Sequence, residues 1–185
     1  MNDFFPMKIA GLERQLPICK VNDELSIAAF VLFGDVEMTV AAATHLLKIA
    51  PPHDIIITAE AKGIPLIHEM VRQKGESKYV VARKVTKLYM KEVFSIEVQS
   101  ITTKKMQTLY IDTAEADMMR GKRVLIVDDV ISSGGSVRAV EHLVNKADGI
   151  VAGKMAILAE GEAKDRDDII YLEYLPLLKP DGTPL

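Results

Sequence analysis

The sequence predicts an α/β fold: a doubly wound, mainly parallel sheet with a protruding β-hairpin and an N-terminal hood. Three observations predict it. Apolar runs without alternation, Asp54-Ile55-Ile56-Ile57-Thr58-Ala59-Glu60 and Val124-Leu125-Ile126-Val127, suit strands covered on both faces. Stretches with apolar residues at helical spacing alternate with those strands. Strand, helix and strand between Asp54 and Ala82 fit within about thirty residues, the length of a βαβ unit. The 185 residues, 49% hydrophobic and 26% charged, match one ordinary globular domain spanning 1–185 and exclude a mainly disordered chain.

Residues 1–34 read as an approach segment and hood, with Ala28 to Phe33 as core material and the hood itself near Val21 to Phe33. A helix follows. Asp35 caps it, Glu37 suits its first turn, Ala41-Ala42-Ala43, Leu46, Leu47 and Ile49 form its apolar stripe, and Pro51-Pro52 stops it. After the strand at Asp54, Gly63 to Lys74 reads as a helix with Ile64, Ile67 and Val71 on one face. Pro65 is tolerated there because it falls in the first turn, and Gly75 ends the helix. Tyr79 to Ala82 is a second buried strand. Apolar and polar residues then alternate from Val93 to Ser100 and from Met106 to Asp112, as in two half-exposed strands joined by Thr102-Thr103-Lys104-Lys105. This hairpin is expected to stand off the sheet. Thr113 to Arg120 is a short helix closed by Gly121, and Ser136 to Lys146 a longer one with Val137, Val140, Leu143 and Val144 on one face. Ile150 to Ala159 and Ile169 to Leu172 complete the strands.

Lys+Arg 23 against Asp+Glu 26 gives a net charge of −3, which argues against a dedicated nucleic-acid binder. Charge is unevenly spread. Arg72, Lys74, Lys78, Arg83, Lys84, Lys87 and Lys91 face one acid, Glu76, in the same stretch. The single cysteine, Cys19, reads as a packed thiol in a reducing compartment. Met1 to Pro6 lacks the pattern of a secretory signal, and no apolar run is long enough to span a bilayer, so a cytoplasmic location without membrane contact is expected. His45, His53, His68 and His142 lack ligand spacing and read as surface or packing residues. Met118-Met119 reads as core filling, and Glu160 to Asp168 as a solvated acidic loop.

Ligands of a doubly wound sheet sit beyond the carboxyl ends of its strands. The most informative strand end is Val124-Leu125-Ile126-Val127-Asp128-Asp129-Val130-Ile131-Ser132-Ser133-Gly134-Gly135-Ser136. Gly134 and Gly135 allow close backbone approach, and the helix that follows presents free N–H groups and a positive dipole end. Ser132, Ser133 and Ser136 add hydroxyl donors. Such a cradle suits a phosphate monoester. Asp128 and Asp129 would repel phosphate, so they address another part of the ligand, and paired ribose hydroxyls are donors that match them. The inferred ligand is a ribose 5-phosphate. An apolar strand ending in acids also describes a Walker B element, but no G-x-x-x-x-G-K-[ST] loop accompanies it here.

Val124 to Ser136 resembles the phosphoribosyl pyrophosphate (PRPP) motif of type I phosphoribosyltransferases, and similarity extends from about Leu16 to Leu178, closest to the adenine and xanthine branches. The resemblance implies a homodimeric purine phosphoribosyltransferase of nucleotide salvage. It would use PRPP with Mg²⁺, release pyrophosphate and yield a nucleoside monophosphate. Asp128 and Asp129 would hold the ribose hydroxyls, and the segment Val130, Ile131, Ser132, Ser133, Gly134, Gly135 and Ser136 the 5′-phosphate. Glu60-Ala61-Lys62-Gly63 occupies the place of the pyrophosphate loop, with Lys62 where adenine enzymes commonly have arginine, and Arg83, Lys84 and Lys87 form a second basic turn. Asp128, Asp129 and Lys87 are the implied catalytic groups. No protein side chain is assigned to the metal directly; Mg²⁺ would come with PRPP. Residues 84–110 would form a mobile hairpin closing over the site. Helix Asp35 to Ala50 and the turn near Arg83 would form the dimer interface.

Base identity is less determined. Ser132 stands where many 6-oxopurine enzymes carry an aspartate, which argues against the hypoxanthine-guanine type, and the overall match around Glu60 to Lys87 favours adenine. The glutamate that adenine enzymes carry in the hairpin has its nearest match at Ser100, with Glu97 and Glu92 upstream, while Val98 to Lys104 resembles xanthine enzymes. Adenine is placed ahead of xanthine or another 6-oxopurine. A PRPP-sensing regulator is the alternative of another class, but about fifteen residues before the similarity leave no room for a helix-turn-helix.

Overall fold

A computed structural model of the chain describes residues 3–90, 93–99 and 106–185. Ser100, Glu92 and the Thr102 to Lys105 connection lie outside the described residues. The chain opens with an element that the sequence reading missed. Strands β1 (Phe4–Ile9) and β2 (Leu12–Lys20) form an antiparallel hairpin, and β3 (Ser26–Ala28) pairs with β2. Ala10 and Gly11, with φ of 49° and 85°, make its two-residue turn, the positive-φ geometry that matches strand twist. Pro6 and Pro17 lie within these strands. Proline demotes a strand in any sequence-based reading, which is why residues 1–34 read only as a hood.

Helix α1 (Val36–Ile49) begins where expected: the Asp35 carboxylate accepts the Met38 N–H at 3.0 Å. Arg14 of β2 reaches Asp35 at 2.7 Å and Glu37 at 2.8 Å, tying the hairpin to the start of α1. Strand β4 (Ile55–Ala59), helix α2 (Ile64–Lys74) and strand β5 (Val80–Ala82) form the expected βαβ unit. Strands β6 (Phe94–Gln99) and β7 (Met106–Ile111) form the antiparallel hairpin, followed by α3 (Thr113–Met119). Strand β8 (Arg123–Ile131) runs past Val127 and includes both aspartates. Helix α4 (Gly135–Lys146), β9 (Ile150–Glu160) and β10 (Ile170–Leu175) complete the main body, and β11 (Leu177–Leu178), also missed, pairs with β3.

The main sheet is parallel with order β10-β9-β8-β4-β5. Met38, Ala42 and Leu46 of α1 and Leu66, Ile67 and Met70 of α2 pack on one face; Ala116 and Met119 of α3 and Val137, Val140 and Leu143 of α4 pack on the other. Two-sided cover explains the apolar runs of β4 and β8. The chain leaves β4 towards β5 and returns to the opposite side of β4 as β8. Their carboxyl ends therefore flank the point where strand order reverses, the place where open α/β sheets bind ligands.

The β6–β7 hairpin is a two-stranded sheet apart from the main one, as expected, and its base is tied to the body. Phe94 and Ile96 pack on the α4 side of the core, Lys146 donates to the Ser95 carbonyl at 2.9 Å, and Arg83 and Tyr110 exchange backbone hydrogen bonds of 2.8 Å. Cys19 is exposed, not packed, because β2 has one solvated face.

Candidate active site

The two strand ends at the switch point bring the predicted residues together. Gly63 has an ordinary backbone conformation; closeness is what demands glycine there. A Cβ would strike the buried Thr58 hydroxyl and lie 3.4 Å from the Asp128 carboxylate. The loop after β4 can therefore lie against the end of β8. Lys62 of that loop reaches Asp129 at 3.1 Å, and Asp129 is 3% exposed. That oxygen, Oδ2, is within ion-pair distance of Lys62 but accepts no aligned hydrogen bond, so it keeps unused acceptor capacity. The Asp129 N–H donates to the Asp128 carboxylate at 2.9 Å. Burial and the adjacent Asp129 carboxylate hold Asp128 well above the usual carboxylate range, against the pull of Lys62. Two crowded acids with spare acceptor capacity form a site prepared for hydroxyl donors or a cation.

Beside them, Asp128 and the residues from Val130 to Val137 line a recess of about 60 Å³, a size suited to a phosphate group. Gly134 caps α4 with φ 75°, in the left-handed region that favours glycine. A Cβ on Gly134 would also collide with the Arg166 guanidinium. No side chain caps α4, so its first N–H groups are open to a ligand. A larger cleft of about 290 Å³ adjoins the recess through Val130 and Ser132. Its other walls are Ile27 to Val31, Lys62, Glu160 and Leu175.

The second basic turn is placed differently. Arg83 donates to both Glu115 oxygens, at 2.7 and 2.8 Å, and to the Val81 carbonyl at 3.0 Å. Burial works against its charge and Glu115 outweighs that, so the guanidinium is held by α3 and not by the carboxylate pair. Lys84 contributes its backbone N–H, which donates to the Glu60 carboxylate at 2.9 Å and joins the two loops. Lys87 is exposed on the same turn and forms no ion pair among the described residues. The Glu60–Ala61 peptide at the start of the first loop is cis.

A model of the phosphoribosyl transferase domain matches residues 38–178. The chain belongs to that family. The adenine phosphoribosyltransferase of Ureaplasma parvum is 33% identical over 116 residues, 63% of this chain and 64% of that protein. The hypoxanthine/guanine phosphoribosyltransferase of Methanotorris igneus is 36% identical over 124 residues, covering 66% and 63%. The purine biosynthesis transcriptional repressor PurR of Bacillus subtilis is 30% identical over 125 residues, covering 68% and 42%. This chain thus spans less than two thirds of the length of these curated relatives. Among solved structures, an adenine phosphoribosyltransferase from Thermoanaerobacter pseudethanolicus superposes with a TM-score of 0.63 at 25% identity, covering 77% of this chain and 84% of that one.

Within this phosphoribosyl transferase domain, sequence reasoning missed two residues near the cleft. Glu160 does not belong to a solvated loop. It ends β9, lines the larger cleft, and burial raises its carboxyl pKa while Lys62 opposes. Arg166 is not merely a counter-charge in an acidic stretch, because it lies against Gly134 while Asp168 holds it at 2.8 Å. Ala163 is buried in the short 3-10 turn Gly161–Asp165, and Lys154 also reaches Asp168 at 2.8 Å, so this segment is tied to the body. No sequence spacing signals these contacts, since the partners belong to different strand ends. Among the described residues no three ligating side chains cluster for a metal. The unused Asp129 oxygen and the adjacent Asp128 fit a cation presented by a ligand and not one caged by the protein alone.

Proposed function

We propose that this protein transfers the 5-phosphoribosyl group of PRPP to a purine base, adenine ahead of 6-oxopurines, releasing pyrophosphate and a nucleoside monophosphate. One observation carries the reading: the phosphate-sized recess, the carboxylate pair and the larger cleft meet at one switch-point crevice, which supports giving them to the 5′-phosphate, the ribose and the base. Similarity to enzymes named as adenine and hypoxanthine/guanine phosphoribosyltransferases supports it.

The Ser132 to Ser136 segment and the start of α4 hold the 5′-phosphate, and Asp128 and Asp129 accept from the ribose hydroxyls. The anomeric carbon then lies by two carboxylates. Breaking its bond to pyrophosphate ahead of bond formation to the base nitrogen leaves positive charge on the ribose ring, which anionic neighbours stabilise. Asp128 and Asp129 would also hold a Mg²⁺ ion arriving with PRPP, which supplies charge neutralisation of the pyrophosphate. Lys62 and the backbone of Ala61 and Gly63 receive the leaving group. Release of the Arg83 side chain from Glu115, with closure of the part of residues 84–110 that lies beyond the anchored hairpin base, would bring Arg83, Lys84 and Lys87 over it and exclude water.

The protein is proposed to act in the cytoplasm as a homodimer. Val36 and Val40 on α1 and Val85 and Leu88 after β5 are exposed apolar residues on the expected interface elements. No described helix is long and apolar enough to cross a membrane. The test is nucleoside monophosphate formation from PRPP, Mg²⁺ and a panel of purines, with folded protein of measured mass in solution. Turnover with adenine is expected; no turnover with any base sinks the reading. Similarity to the B. subtilis repressor favours one second reading, a PRPP-binding regulator, for which the same assay gives PRPP binding without product.

A further inference from the structure

We propose that Glu160 reads the 6-position of the purine and selects a 6-amino over a 6-oxo base, an inference that rests on the phosphoribosyl-transfer reading above. Val130 pairs in register with Leu158 and Ile131 with Ala159, so Glu160 lies beside Ser132 and one strand further from β8. Neighbouring strands are about 4.8 Å apart. A base whose ribosylated nitrogen is held over the end of β8, near the aspartates, extends its far edge across β9 and meets Glu160.

Three polar side chains line this cleft: Lys62, Ser132 and Glu160. Lys62 is engaged by Asp129. The Ser132 hydroxyl donates or accepts equally, so it accommodates either kind of base. The Glu160 side chain forms no hydrogen bond or ion pair among the described residues; burial raises its pKa against the pull of Lys62, and in its ionised form the carboxylate only accepts. Adenine presents an amino donor at the 6-position, whereas hypoxanthine and guanine present an oxygen acceptor there. The amine completes the acceptor, and the oxo group faces it with lone pairs. Ala28, Phe30 and Leu175 are buried apolar walls of the cleft, and low polarity beside the carboxylate strengthens this difference.

The test compares AMP and IMP binding to the full chain with Mg²⁺, by calorimetry, for the wild type and Glu160→Gln. The glutamine keeps the shape and supplies both a donor and an acceptor. Wild type is expected to prefer AMP by about 10-fold or more, and Glu160→Gln to shrink that ratio about 10-fold, chiefly by strengthening IMP. The thermal midpoint and PRPP affinity serve as folding controls, and Glu160→Ser replaces the glutamine variant should the latter not fold. An unchanged AMP:IMP ratio, or equal weakening of both nucleotides, overturns the inference. Discrimination that depends on Glu160 without turnover by the wild type would overturn the enzyme reading and leave the role of Glu160 standing.

Discussion

Gly134→Ala puts the phosphate recess to a quantitative test. The wild-type residue sits at φ 75°, where an L-residue costs about 1–2 kcal/mol. The new methyl group also meets the Arg166 guanidinium, which must leave. Leaving breaks its pair with Asp168, whose side chains are 23% and 42% exposed, so this adds only about 0–1 kcal/mol. The total is about 1–3 kcal/mol, and at about 2–4 °C per kcal/mol for a chain of this size the midpoint falls by roughly 2–12 °C. PRPP affinity falls as well, because the N–H groups of the cradle shift with the backbone. Thermal unfolding and PRPP titration are measured on Gly134→Ala, Arg166→Ala and the double variant. The double variant should be more stable than the sum of the single costs predicts, by about 0.5–1 kcal/mol, since no guanidinium remains to be displaced. Additive costs would refute the contact with Arg166. A single Gly134→Ala variant with wild-type midpoint and PRPP affinity would refute the role of the left-handed cap.

Other outcomes follow from the charged groups. The Asp128 pKa lies above its unfolded value of 3.8, so its neutral form contributes stability that is complete below that value and lost as pH rises through the raised folded value. Thermal midpoints of the empty protein should fall on raising pH across that window, and Asp128→Asn should flatten the profile while abolishing PRPP binding. An identical profile in the variant would assign the dependence to other groups. Lys62→Met removes the cation 3.1 Å from the nearly buried Asp129 and should lower kcat/KM for PRPP by about 10- to 100-fold in a steady-state assay. Glu115→Ala removes the α3 capping box and frees Arg83. It should cost about 1–2 kcal/mol in denaturant unfolding. Amide exchange at Tyr110, whose N–H donates to the Arg83 carbonyl, should rise with it.

The main sheet and its helices were readable because each follows from a local pattern. The all-buried Ile55 to Ala59 run requires cover on both faces, and Asp35 and Gly75 cap their helices as their residue types imply. The opening hairpin was not readable. Its two prolines, half-exposed strands and Ala10-Gly11 turn give a weak local signal, and its place is set by pairing with β3 and by Arg14 bonding Asp35 and Glu37. The candidate site divides the same way. Asp128 to Ser136 is one continuous segment whose chemistry is written in residue order, and it falls at the end of β8 as expected. Arg83 followed by Lys84 read as a second basic turn for pyrophosphate, but the identity of a side chain does not say which acid it meets, and Glu115 lies 32 positions away.

By itself, the sequence determined the layered α/β class and the family, and it holds in one segment the residues proposed to meet phosphate and ribose. Helix spacing, strand hydrophobicity and a glycine-serine loop act over a few residues, so neighbours in the chain suffice to specify them. Tertiary structure alone decided what lines the proposed base cleft. Ile27 to Val31, Lys62, Glu160 and Leu175 come from four distant strand ends, and only the order β10-β9-β8-β4, the register between strands and the pairing of β11 with β3 bring them around one cleft. Burial beside Lys62 is what gives Glu160 a function to test.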